Sequence, residues 1–99
     1  MPISPTKWVI EYTEHTNREL KKLDRQAYTR IRDFIDKTLL KTPSPRSLGY
    51  ALSGRKGVWR YRVGEYRLIC RIQDERLTIV AIHVGHRREV YKKLHLITP

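Results

Sequence analysis

Arginine punctuates the stretch WRYRVGEYRLICR, residues 59–71, at positions 60, 62, 67 and 71. A guanidinium carries a planar fork of donors, stays charged in any surroundings and grips a phosphate through two parallel hydrogen bonds. The spacing decides whether these four can act together. Gly64-Glu65 suits a two-residue II′ hairpin turn, with glycine supplying the positive φ at the first turn position. That turn sets Val63 opposite Tyr66, Arg62 opposite Arg67, Tyr61 opposite Leu68 and Arg60 opposite Ile69. Side chains alternate along a strand with period two. One face therefore collects Trp59, Tyr61, Val63, Tyr66, Leu68, Cys70 and Ile72. The other collects Arg60, Arg62, Arg67 and Arg71, with Ile69 among them. Like charges set opposite each other destabilise a sheet, by roughly the 0.2–1 kcal/mol that good pairs gain. Charge on an edge strand can serve only to block aggregation, but a solubilising face would mix signs. A face of one sign points to an anionic partner.

A second basic cluster, Gly85-His86-Arg87-Arg88-Glu89-Val90-Tyr91, follows the last apolar run. Gly85 can end that strand and turn the chain toward the arginine face, so that Arg87 and Tyr91 reach the cluster from its rim. No metal is expected: His15, His83, His86 and His95 lack ligand spacing along the chain, and one cysteine builds no structural zinc site. Gly-rich phosphate loops, Gly-x-Ser-x-Gly and paired carboxylates are likewise missing. Nucleolytic chemistry in such a chain is expected to run without metal, cofactor or carboxylate couple.

The elements that must position these groups follow from pattern. Residues 8–12, WVIEY, have the β-branched and aromatic content of a strand. Thr13 or Thr16 can cap the following helix, and Thr16 with Glu19 fits a capping box. Asp24 reads as a second cap, with Ala27, Ile31, Phe34, Ile35, Thr38 and Leu39 spaced for an amphipathic helix. Two helices are expected, over residues 14–23 and 25–41, the second stopping before Pro43 and Pro45. Residues 42–57 read as a loop tucked down by Leu48 and Leu52. After the basic hairpin comes a tight turn at Asp74-Glu75 and the apolar run LTIVAIHV, residues 77–84. Alternation places Leu77, Ile79, Ala81 and His83 with the Trp59 face, and Thr78, Val80, Ile82 and Val84 with the arginines. The order β-α-α-β-β-β, with a short C-terminal helical segment, predicts an α+β fold: an N-terminal strand and helical hairpin packed on a small, mostly antiparallel sheet. The helices should cover the Trp59 face, and residues 87–97 part of the other. Residues 1–7 read as a frayed lead-in.

The chain has 99 residues, enough for a single domain over 1–99, and carries 21 Lys plus Arg against 10 Asp plus Glu, a net +11. Residues 46–71 hold seven basic residues and one acidic, so the charge concentrates on the hairpin and not on the helices. Such a field draws polyanions, nucleic acid first. No apolar run reaches membrane-spanning length and no signal core opens the chain, so a cytoplasmic protein without a membrane partner is expected. Cys70 points into the core on the hairpin register and reads as a small hydrophobe in a reducing compartment.

The stretch WRYRVGEYRLICRI, an acidic turn, an apolar strand and VGHRREVY together resemble the RelE family of toxin–antitoxin systems, within the RelE/ParE superfamily. The likeness extends to LKKLD in the helical hairpin and to Leu52-Ser53-Gly54 before the basic strand, nearly the whole chain. It implies the RelE-like fold, with a small sheet beneath a helical hairpin. It also implies a small basic toxin that cleaves messenger RNA in the ribosomal A site, blocks translation, and is neutralised in a hetero-oligomeric complex with a cognate antitoxin. Matched by motif, Arg60 and Arg62 stand where well-studied members carry two lysines. Arg67 is the arginine of Tyr-Arg-Leu, Arg87 follows the strand-ending glycine, and Tyr91 closes Glu-Val-Tyr, two residues nearer to Arg87 than in the family. A lysine of lowered pKa can take a proton and an arginine effectively cannot, so a lysine base has no counterpart here.

The resemblance thus implies a catalytic set of Arg60, Arg62, Arg67, Arg87 and Tyr91, with RNA held further by Arg55, Lys56, Arg71, His86 and Arg88. The 2′-OH would attack the adjacent phosphate in line, giving a 2′,3′-cyclic phosphate. His86 is a weaker candidate base. Two other readings use the same residues: a ParE-like inhibitor of DNA gyrase that cuts no RNA, and a non-catalytic RNA-binding module.

Overall fold

The computed structural model describes residues 7–92 and 94. It comprises β1 (Val9–Tyr12), α1 (Glu14–Lys22), α2 (Arg25–Asp33), β2 (Tyr50–Ala51), β3 (Val58–Val63), β4 (Tyr66–Gln73) and β5 (Thr78–His86). The sheet order is β1-β5-β4-β3-β2; β1 runs parallel to β5 and every other pair is antiparallel. This is the expected α+β arrangement with one strand more. That strand, β2, lies inside the segment expected as loop, and two residues are too short for any alternation to show.

Local chemistry accounts for the helices. Thr13 caps α1 and Asp24 caps α2, each accepting from the backbone N–H three residues on. The expected capping box of Thr16 and Glu19 does not form. Thr16 lies inside α1, fully buried, and its hydroxyl donates to the Ala81 carbonyl at 2.7 Å. Glu19 turns to β5 instead. Beyond α2 the helix widens into one π turn, Phe34–Thr38, and tightens to a 3-10 turn, Leu39–Lys41, ahead of Pro43. The wide turn keeps Ile35 and Leu39, four apart, in line with Ile31; all three are fully buried, while Thr38 is exposed.

The hairpin register is the one read from the sequence: Val63 opposite Tyr66, Arg62 opposite Arg67, Tyr61 opposite Leu68, Arg60 opposite Ile69. Gly64 has φ 59°, and Glu65 keeps a negative φ, the II′ pattern. Helix residues Leu20, Ile31, Ile35 and Leu39 pack on Tyr61, Val63, Leu68, Cys70 and Ile72, so the helices cover the expected face. Burial pushes the Cys70 thiol and the Tyr61 phenol well above their ordinary pKa values. On the arginine face a smaller cluster of Val58, Ile69, Ile82, Val90 and Leu94 forms. The chain after β5 thus gives the expected partial cover, as successive turns over residues 87–92 with Leu94 in 3-10 conformation. Residues 1–6 of the lead-in, His95 and the end of the C-terminal segment lie outside the described residues.

Three details of the expectation change. Leu77 has φ 48° and closes the turn at Asp74–Arg76, exposed, so it never joins the core face. Ile69 pairs with His83 and Cys70 with Ala81, leaving Ile82 as a bulge. Two residues against one reverses the alternation beyond that point, so Val84, not His83, enters the helix-side core. Finally, Leu48 is exposed; Pro45 tucks the loop down instead, buried, with its carbonyl accepting from Tyr61 Oη at 2.9 Å.

Candidate functional site

Strand β3 presents Arg60 and Arg62 on one face, two residues apart. β2 lies beside it with Tyr50 opposite Arg60. The Tyr50 ring takes both guanidiniums, Arg60 at 5.4 Å and Arg62 at 5.5 Å from its centroid. From the other side comes Tyr91, which Val90 anchors by packing on Ile69 and Ile82. Arg60 Nη1 donates to Tyr91 Oη at 3.1 Å, and the guanidinium sits 5.8 Å from that ring. Arg60 is therefore held between two tyrosines. Its Nε is buried without a hydrogen-bond partner among the described residues. An unmet buried donor costs roughly 1–3 kcal/mol, and a phosphate oxygen reaching it would remove that cost.

The hairpin turn holds the second pair. Arg67, opposite Arg62, donates through Nη1 to the carbonyls of Gly64 at 2.9 Å and Tyr66 at 2.8 Å. Arg87 is tied to the same turn: its backbone N–H donates to the Glu65 carbonyl at 2.7 Å and its Nε to Glu65 Oε1 at 3.1 Å. Arg62 and Arg87 are exposed. Glu65 is thus the one carboxylate tied to the arginines here among the described residues.

Arg60, Arg62 and Tyr91 gather around β3 and Tyr50, while Arg67, opposite Arg62, and Arg87 are held at the hairpin turn. Arg71 is not with them. It pairs with Val58, four residues along β4 from Arg67, about 13 Å at the strand rise. Arg55 and Lys56 lie in the β2–β3 loop at that same far end, so these three form a flank and not part of the centre. His86 sits edge-on to Tyr66 at 5.8 Å, and its Nδ1 accepts from the Arg88 N–H at 3.2 Å. That bond leaves the proton of a neutral ring on Nε2. Arg88 is exposed.

Tyr50 is the site residue that sequence reasoning missed. Only its pairing with β3 places it, and Gly49 permits that pairing: a Cβ there would lie 2.6 Å from the Arg60 carbonyl oxygen and 2.7 Å from the Tyr61 ring. Two histidines that lack ligand spacing along the chain also come together in space. His15 and His83 are remote in sequence, yet their ring nitrogens lie 3.3 Å apart beside Glu19.

A family model described as the ParE toxin of the type II toxin–antitoxin system parDE matches residues 10–91. The chain belongs to this toxin family, within the RelE/ParE superfamily. Toxin RelG of Mycobacterium tuberculosis is 30% identical over 87 residues, which cover 87% of this chain and 98% of RelG. The toxin–antitoxin complex RelBE2 from Mycobacterium tuberculosis superposes with a TM-score of 0.73 at 31% identity, covering 82% of this chain and 99% of the other. Isolated RelE toxin of E. coli shares the fold, with a TM-score of 0.67 at 22% identity over 80% of this chain and 83% of its own. The toxin is thus of the type II class. Among the described residues it has no helix long and apolar enough to cross a membrane.

Proposed function

We propose that this toxin is a ribosome-dependent mRNA endonuclease that cuts by attack of a ribose 2′-OH on the adjacent phosphate. One observation supports the reading: Arg60 and Arg62 share a sheet face with the Tyr91 hydroxyl, and Arg67 lies opposite Arg62 beside the turn that holds Arg87. In the reaction the 2′-oxygen forms a bond to phosphorus and gives up its proton, while the 5′-oxygen leaves and gains one. The products are a 2′,3′-cyclic phosphate and a 5′-OH. Arg60 and Arg62 grip the scissile and flanking phosphates. Arg67 and Arg87, both fixed to the hairpin turn, stabilise the charge that builds on the phosphorane. Pre-aimed charge of this kind contributes about 3–4 kcal/mol per group removed. Tyr91 stacks on a base or passes a proton, and its bond to Arg60 sets its hydroxyl at the phosphate. Arg55, Lys56 and Arg71 hold RNA further along the strand, and His86 and Arg88 flank Arg87.

With no base in the set, alignment of the 2′-OH by the ribosomal A site carries much of the barrier. Free RNA should be cut poorly. The toxin acts as one domain, in the cytoplasm, without a metal in the reaction. It is neutralised by a cognate antitoxin, as the RelBE2 complex and the archaeal RelE–RelB complex from Pyrococcus horikoshii suggest by analogy.

The matching family model is described as a ParE toxin, which favours the ParE-like alternative, a toxin that inhibits DNA gyrase and cuts no RNA, as the second reading. Primer extension on transcripts in a translation reaction, run beside a gyrase supercoiling assay, separates the two. Sharp 5′ ends that vanish with Arg67→Ala and Arg87→Ala support the nuclease. Intact transcripts with blocked supercoiling overturn it. Affinity for RNA without cutting would leave only a binding module.

A further inference from the structure

Away from the arginine face, α1 and β5 enclose a cluster that the proposed reaction does not use. We propose that His15, Glu19 and His83 form a binding site for a divalent ion of the zinc class, which braces the segment carrying Arg87 and Tyr91. His15 and Glu19 stand one helical turn apart on the same face of α1, and His83 approaches from β5. His15 Nε2 lies 3.1 Å from Glu19 Oε2, His83 Nδ1 lies 2.7 Å from that same oxygen, and the two ring nitrogens are 3.3 Å apart. A point about 2.1 Å from all three atoms exists roughly 1 Å off their plane, the length of a zinc bond to nitrogen or carboxylate oxygen. Ligand atoms in a tetrahedral site with bonds of this length stand about 3.4 Å apart, so small rotations of the His15 and Glu19 side chains suffice to admit the ion.

The hydrogen bonds around the cluster orient its ligand atoms. His83 Nε2 lies 2.8 Å from the Val90 carbonyl. A carbonyl only accepts, so Nε2 carries the proton, and Nδ1 of a neutral ring faces Glu19 with a lone pair. Two acceptors 2.7 Å apart need a proton or a metal ion between them. The outer contacts are those that orient metal ligands: Val90 accepts from His83, and the Val84 N–H donates to Glu19 Oε1 at 2.8 Å. His83 is buried, whereas the His15 side chain is 34% exposed. The fourth position therefore opens toward solvent, which gives the ion an entry path and a water ligand. Imidazole with carboxylate suits zinc and its neighbours rather than calcium or magnesium. The ion would join α1 to β5 and, through His83, to Val90, whose neighbour is Tyr91.

A proton on His83 Nδ1 is the competing occupant, and metal titration distinguishes the two. Protein purified with a chelator and then dialysed free of it is melted over a series of Zn²⁺ concentrations and titrated separately with Co²⁺. The ion site predicts a melting temperature that climbs with Zn²⁺ and visible tetrahedral Co²⁺ absorption that saturates at one equivalent. His15→Ala should abolish both and, without metal, melt within about 4 °C of wild type, as a partly exposed position allows. His15→Gln keeps a donor to Glu19 without an imidazole and should lose both signals too. No Zn²⁺ shift and no Co²⁺ spectrum in the wild type would mean a proton alone fills the cluster and would overturn the proposal. An equal shift in both variants would place the ion elsewhere and overturn it as well. Neither readout involves RNA, so the nuclease reading stands or falls separately.

Discussion

Gly49→Ala tests how the arginine face is assembled. Gly49 has an ordinary extended φ of −137°, so backbone strain is not at issue; space is. A methyl group there would lie 2.6 Å from the Arg60 carbonyl and 2.7 and 2.9 Å from two Tyr61 ring carbons. The carbonyl belongs to the strand and Tyr61 is fully buried beneath the helices. Neither can yield, so β2 must move off β3 by most of an ångström. Overpacking of this kind costs about 1–3 kcal/mol. A chain this size loses roughly 4–8 °C per kcal/mol, so the melting midpoint should fall by about 5–20 °C. Tyr50 moves with β2, lifting its ring from Arg60 and Arg62, and transcript cutting should fall even at temperatures where the variant is folded. Gly54→Ala is the control. Its Cβ meets nothing within 4 Å, but φ is +78°, so it should cost about 1–2 kcal/mol and leave cutting intact. Circular dichroism melts and primer extension read the two effects. A Gly49→Ala protein that melts with the wild type would refute the close approach. One that is destabilised yet cuts normally would refute the coupling of β2 to the arginines.

Other substitutions probe single contacts. Glu65→Gln removes the carboxylate beside Arg87 and should tighten binding to single-stranded RNA, steepening the log–log salt slope by about 0.7; an unchanged slope in a fluorescence titration would show that Glu65 does not mask Arg87. Thr16→Val removes the buried hydroxyl donor to the Ala81 carbonyl, which keeps the Thr13 N–H, and should lower unfolding free energy by about 0.5–1.5 kcal/mol in urea. Burial raises the Cys70 thiol in the folded state, whereas the unfolded chain releases that proton near pH 8.5, about its ordinary value. Stability is then full below that pH and falls as pH rises, by up to about 1.4 kcal/mol per unit. Cys70→Ala should be less stable but flat between roughly pH 8.5 and 9.5, before Tyr61 begins to titrate, and a slope equal to wild type would refute the assignment.

Alternation and one glycine sufficed to read the basic hairpin from the sequence. Period two and the Gly64 turn set which side chains face the helices and which carry the charge, and the observed register agrees pair by pair. Helix caps at Thr13 and Asp24, the stop before Pro43 and the family likeness were legible for the same reason: each rests on neighbours in the chain. Tertiary structure decided the remainder. β2 is recognisable only through its pairing with β3, and Tyr50 enters the site with it. The Ile82 bulge shifts His83 and Val84 to faces that simple alternation denies them, because an extra residue costs the sequence pattern nothing until a partner strand is counted against it. The binding of Arg87 by Glu65, and the meeting of His15, Glu19 and His83, join residues far apart along the chain. Such contacts depend on where α1 lies across β5 and on how the last turns fold back over Ile69, and packing of distant surfaces leaves no local periodicity to read.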